Sequence, residues 1–188
     1  SRPSAAPTRG VPVAAADPLV KPFAAVLYRE PAALEAALER LAAAFSPVER
    51  RGPPHAVDQP AYYAAERGDG LQRLLASFAR LEAPGWLVAA KHRATAVEDA
   101  LRSGGRRRVN VDVGYLDLGK VVLASWKGRG SKLYLERGVW ADLTLTYARG
   151  RFQPLPWTFP DFRDGRYAAD LLAIRARYRE QLRAPPAR

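Results

Sequence analysis

Asn110 and Asp112 stand two residues apart in RRVNVDVGY, and Lys127, Tyr134, Trp140, Asp142, Thr144 and Thr146 follow soon after. Residues 107–157 read as four or five short strands joined by glycine turns, and alternate residues of a strand share a face. If the strands pair in order, these side chains converge. Lys120 and Lys127 would supply charge, Asn110 and Asp112 orientation, and Tyr134 and Trp140 a surface on which a base or sugar stacks. An aspartate pair with a lysine could also do acid–base work or hold a metal through oxygen ligands. Cross-strand ion pairs and threonines are equally the content of a plain exposed β-face.

Other motifs bear on the chemistry. KGRGSK reads as a glycine hairpin whose backbone N–H groups, with Lys127, Arg129 and Lys132, could cradle a phosphate. A charged hairpin tip that protects a strand edge has the same composition. GYLDLGK has the G-x-x-x-x-G-K spacing of a phosphate loop. Val121 follows the lysine and a strand follows that, so the helix and hydroxyl such a loop needs are missing. YYAAERG places Tyr62, Tyr63 and Glu66 in a long loop of the kind that carries function or is disordered. Lys91, His92 and Arg93 read as a wet helix face, and Arg106, Arg107 and Arg108 as a solvated connection.

The 188 residues lack cysteine and contain two histidines, His55 and His92, without metal-type spacing. That excludes a disulfide scaffold and a thiol nucleophile, and disfavours a histidine metal site or a Ser-His-Asp triad. No metal and no particular cofactor is implied. The net charge is +11, which suits a polyanion partner, although an Arg-, Ala-, Gly- and Pro-rich composition also follows from GC-rich codons. No apolar run reaches the roughly 18 residues of a membrane span. Residues 1–20 lack an apolar signal core, so a cytoplasmic location and no membrane partner are expected.

The elements that must position these residues follow from periodicity. Residues 1–20 and 184–188 are expected to be disordered tails around a single α+β domain at 21–183. PFAAVLY is a strand. Pro31 opens a helix over 31–45 with Leu34, Leu38, Leu41 and Phe45 at helical spacing. A strand near 47–51, a loop over 52–70 and a strand over 71–81 come next. Pro84 opens a second helix with a Leu87, Ala90, Ala94, Val97 and Leu101 stripe. In 108–115, Val109, Val111, Val113 and Tyr115 alternate with Arg108, Asn110 and Asp112. KVVLASW, KLYLE and VWADLTLTYA are further strands. PLPWTFPDF crosses the surface, and a last helix over 164–183 carries Tyr167, Leu171, Ile174, Tyr178 and Leu182. The order βαββαβ predicts a ferredoxin-like core, its antiparallel sheet extended by C-terminal hairpins and covered by the C-terminal helix.

YYAAERG, SFARL, NVDVGYLDLGKVVLASWK, KLYL, GVWADLTLTY and GRFQPLPWTFPDF together resemble the bacterial family of domain of unknown function 4416, from about Lys21 to Leu182. The resemblance implies a small cytoplasmic bacterial protein of unestablished activity. The matching positions include Tyr62, Tyr63, Glu66, Lys91, Glu98, Asn110, Asp112, Lys120, Lys127, Tyr134, Trp157 and Asp161. Arg67, Ala94, Thr95, Val113, Ser131 and Asp142 depart from the family pattern.

Three functions remain open. The first is binding of an anionic ligand, a nucleotide, phosphorylated metabolite or RNA, on the polar sheet face through Asn110, Asp112, Lys120, Lys127, Lys132, Tyr134 and Trp140. The second is a small hydrolase or transferase using Asp112, Asp142 and Glu66, with or without the assistance of a divalent metal. The third is a protein-interaction module docking through 154–183.

Overall fold

The computed structural model describes residues 18–57 and 70–184. In chain order its elements are β1 (Lys21–Tyr28), α1 (Pro31–Ala44), β2 (Val48–Arg51), β3 (His55–Ala56), β4 (Gln72–Phe78), α2 (Trp86–Ala100), β5 (Val109–Leu116), β6 (Lys120–Ser125), β7 (Leu133–Glu136), β8 (Val139–Ala148), β9 (Arg151–Pro154), α3 (Pro160–Arg163) and α4 (Ala168–Arg183). The chain is thus α+β. The nine strands form one antiparallel sheet in the order β2-β4-β1-β5-β6-β8-β7, with β3 also on β4 and β9 also on β8. No helix among the described residues is long and apolar enough to cross a membrane.

Helices cover the sheet on both faces. Leu34, Leu38 and Leu41 of α1 and Leu87, Ala90, Ala94 and Val97 of α2 pack on Val26, Leu74, Val109, Val111, Val113 and Val139. On the opposite face Tyr167, Leu171, Ile174 and Tyr178 pack on Phe23, Leu75, Leu116, Val121 and Leu145. These are the apolar stripes the spacing predicts. Leu182 is the exception: it is 44% exposed, because the last turn of α4 is tied down by polar contacts instead. Gln181 accepts a hydrogen bond from Lys21 Nζ at 2.8 Å and donates to the Ala79 carbonyl at 2.7 Å.

Two-residue turns set the order of the C-terminal strands. Arg137 and Gly138 have φ of 50° and 78°, and Arg149 and Gly150 have 51° and 80°. Two successive positive φ values make a type I′ turn, whose twist matches that of the strands it joins. β8 is thereby folded tightly onto β7 at one end and β9 at the other. Its opposite edge takes β6. The KGRGSK segment is therefore not a hairpin: it joins β6 to β7 past β8, which lies between them. Periodicity announces neither β9 nor the two-residue β3. Val20, at the end of the expected tail, is buried and bridges Glu82. The tail residues 1–17 and 185–188 lie outside the described residues.

Candidate functional site

β5 and β6 pair only through Gly114–Leu123, Tyr115–Val122 and Leu116–Val121. β5 nevertheless runs back along β1 to Val109, and β6 runs on along β8 to Ser125. Beyond Gly114 the two strands part, leaving a seam in the sheet between Asn110–Val113 and Ala124–Ser125. Two features shape it. At the crotch the backbones approach so closely that a Cβ on Gly114 would collide with the Val122 carbonyl. Further along, the Val111 N–H donates to Glu98 Oε1 of α2 at 2.6 Å. A side-chain carboxylate thus takes an edge donor of β5 that a neighbouring strand would otherwise satisfy.

One bank of the seam is β5, with Asn110 and Asp112 half-buried. Arg73 of β4 donates to Asp112 Oδ2 at 3.1 Å and also bonds Asp161 of α3. Tyr167 donates its hydroxyl to the same Asp161 carboxylate at 2.9 Å. Burial pushes the Tyr167 phenol pKa far up, so it remains a donor. The other bank belongs to β6, β7 and β8. Lys132 Nζ lies 3.0 Å from Ser125 Oγ, 3.5 Å from Asp142 Oδ2 and 5.6 Å from the centre of the Phe159 ring. Tyr134 and Trp140 meet edge-on at 5.1 Å. Gly128 makes room for the indole: a Cβ there would overlap the Trp140 ring.

α2 forms the floor. Leu87, Ala94 and Leu101 belong to the core under the sheet, and helical spacing puts Lys91 and Glu98 on the same side. Both are buried, at 7% and 3% exposure. Burial raises the Glu98 carboxyl above its ordinary range, against the lowering effects of the Val111 N–H, Lys91 and Arg107; Asp112 adds to the rise. Arg107 stands 3.7 Å from Glu98.

Asn110 and Asp112 thus stand on the β5 side of the seam, and Lys132, Tyr134, Trp140 and Asp142 on the β6–β8–β7 side, with Tyr134 on the outermost of those strands. Lys127 lies at the mouth of the seam, where its backbone N–H donates to Ser125 Oγ at 3.0 Å. Lys120 does not join. It starts β6, at the far end of the strand from Ser125, and pairs with Asp117 across the turn. A β-bulge opposite Val121–Val122 resets parity in β8. Thr144 is therefore buried, where its backbone carbonyl accepts from Thr158 at 2.6 Å, and Thr146 falls opposite Lys120. Tyr62, Tyr63 and Glu66 lie outside the described residues. Asp112 and Asp142 sit on opposite banks with different cation partners. Among the described residues no three His, Asp or Glu side chains gather as a metal-holding group.

Sequence reasoning misses Arg73, Asp161, Tyr167 and Glu98 as members of this site. It also misjudges Lys91, which is buried and not on the wet face of α2. The signals are present: Arg73 has the parity of buried Leu75, and Lys91 and Glu98 interrupt an apolar helical stripe. A second polar cluster lies at the β2–β3 edge. Buried Asp170 of α4 accepts from Arg50 at 3.3 Å and lies 2.8 Å from His55 Nε2, with Gly52 leaving room for its carboxylate. Outside the seam, an open groove of about 430 Å³ runs between α1 and α2 past Arg40, Ala44, Arg93 and Val97.

No curated protein and no solved structure matches the chain. The family model described as a domain of unknown function, DUF4416, matches residues 18–178, which include every residue of the seam. The chain belongs to the DUF4416 family.

Proposed function

We propose that the chain is a single ferredoxin-like domain whose seam binds a nucleotide. The strand order β2-β4-β1-β5, with α1 and α2 on one face, supports the ferredoxin-like reading. The observation that carries the functional reading is the early end of the β5–β6 ladder over polar side chains of both charges. Lys132 and Lys127 attract the phosphate. Asn110 and Asp112 orient polar edges of the base or sugar, with Asp112 fixed by Arg73. Tyr134, Trp140 and Phe159 offer ring faces at the rim. The net charge of +11 steers an anion toward the protein.

Calorimetric titration with nucleoside monophosphates tests this. Binding that weakens between about 50 and 200 mM salt is expected, because exposed charge is screened beyond a Debye length. Lys132→Ala and Trp140→Ala should each weaken it about tenfold, or about 1.4 kcal/mol. A chain that binds no nucleotide at low salt contradicts the proposal.

A protein-docking role for 154–183 keeps one observation in its favour: Trp157 and Phe159 are 46% and 48% exposed. Its mark is a complex lost in Trp157→Ala with Phe159→Ala while nucleotide binding persists. The hydrolase reading has no such support, since Asp112 and Asp142 are each held by a separate cation.

A further inference from the structure

We propose that the outer side of α4 and the β8–β9 turn bind the phosphate backbone of a nucleic acid. The proposal does not rest on the seam being a ligand site.

The apolar stripe of α4 faces the core, where Leu171, Ile174 and Tyr178 are buried against the sheet. Arg175, Arg179 and Arg183 recur every four residues, so they share another side of the helix in steps of about 6 Å. Arg175 is fixed in place. Its guanidinium lies 3.6 Å from the centre of the Tyr147 ring. Its Nε and Nη2 both donate to the Leu118 carbonyl, at 3.1 and 2.9 Å. Tyr147 is next to the β8–β9 turn, where Arg149 has a positive φ and Arg151 pairs with Ala148. Arg175 thereby links the helical stripe to a turn that carries two more arginines.

This surface lacks counter-charge. Elsewhere Arg51 faces Glu35, Arg102 faces Asp99, and Arg177 faces Glu49 and Glu180. Among the described residues no carboxylate stands within ion-pair distance of Arg149, Arg151, Arg175, Arg179 or Arg183. The acids beside them are already engaged, Asp117 by Lys120 and Glu180 by Arg177. An unbalanced basic stripe on a chain of net charge +11 is the electrostatic footprint of a nucleic-acid partner. All five cations are arginines, whose planar forks match phosphate oxygens in pairs. A lipid surface fits less well. Leu172 and Leu182, the exposed leucines of α4, stand about 15 Å apart along the axis and form no continuous apolar face to insert.

The probes are fluorescently labelled duplexes of about 20 base pairs, one DNA and one RNA, titrated into the full chain. Binding at about 50 mM salt is expected, with a slope of log affinity against log salt of about −4.5 for DNA if each arginine meets one phosphate. Arg179→Ala with Arg183→Ala should weaken binding about tenfold or more and bring the slope to about −2.7. Arg51→Ala with Arg102→Ala removes the same charge from other surfaces and should stay within about threefold. Should the α4 variant not fold, protection is read in the unaltered chain: the duplex should slow phenylglyoxal modification of Arg179 and Arg183 but not of Arg51. Tighter binding of either duplex supports the proposal and identifies the acid. Absence of binding to both, equal weakening in the two double variants, or unprotected Arg179 and Arg183 overturns it. So does binding to phosphatidylserine vesicles without binding to either duplex, which would assign the surface to a membrane. Binding of nucleoside monophosphates should be equal in both double variants, so either reading can fail while the other stands.

Discussion

Replacing Glu98 by Gln and by Leu separates what its charge does from what its oxygen does. Gln keeps an acceptor for the Val111 N–H, now 2.6 Å from Oε1, and removes the charge; Leu removes both. Glu98 is 3% exposed, so water cannot step in without rearrangement. An orphaned buried N–H costs about 1–3 kcal/mol. For a chain of this size each kcal/mol moves the thermal midpoint by roughly 2–4 °C, so Glu98→Leu should melt about 2–12 °C below Glu98→Gln. The pH dependence adds a second reading. Burial raises the folded-state pKa of Glu98 above its unfolded value of about 4.3. Between those two values the folded chain holds more protons than the unfolded one, so this group's contribution to stability falls as pH rises through the window and then levels off. Glu98→Gln lacks that slope. Its stability relative to the unaltered chain should therefore rise from about pH 4.3 upward and then plateau. Thermal melts by circular dichroism at several pH values measure both effects. Equal midpoints for the Gln and Leu variants, or a Gln effect independent of pH, would refute the reasoning.

A Cβ on Gly128 would overlap the Trp140 ring, so the indole must move in Gly128→Ala. That variant should lose about 1–3 kcal/mol of stability, and a shifted tryptophan emission reports the displacement. Gly138 sits in the left-handed region, which strains any residue bearing a side chain. Gly138→Ala should therefore lower stability by about 1–2 kcal/mol in denaturant unfolding. Asp170→Asn removes the charge that holds Arg50 and His55 from a buried carboxyl. A loss of about 2–3 kcal/mol is expected, below the full cost of a broken buried pair because Arg50 can turn to water; an unchanged thermal midpoint would contradict it.

What the sequence discloses and what it hides divide along a physical line. The α1 and α2 stripes and the Val109–Val113 alternation are legible because each depends on local periodicity alone. Asn110 and Asp112 share a face of β5, and Trp140 and Asp142 a face of β8, as the alternation predicts, because parity along a strand survives any pairing; Lys127 and Lys132 both lie outside the strands, where parity does not reach. Lys120 is misplaced because parity says which face a residue takes and not how far along the strand it lies. Thr144 and Thr146 are misplaced because a bulge shifts register without a mark in the local pattern. The seam itself is invisible in the sequence. Its marks, the early end of the β5–β6 pairing and the Val111 N–H taken by the helix side chain Glu98, are contacts between separate elements. Lys91 is misread for a related reason. Its basic neighbours His92 and Arg93 suggest an exposed face, whereas helical spacing from Leu87 and Ala94 already turns Lys91 inward.

The most direct test of the seam as a ligand site is a two-dimensional ¹⁵N–¹H spectrum recorded while a nucleoside monophosphate is added. The account predicts saturable shifts confined to the amides of Asn110–Gly114, Ser125–Tyr134 and Trp140–Asp142, on both banks together. Shifts that cluster in the groove between α1 and α2, or a spectrum that does not change, would contradict it.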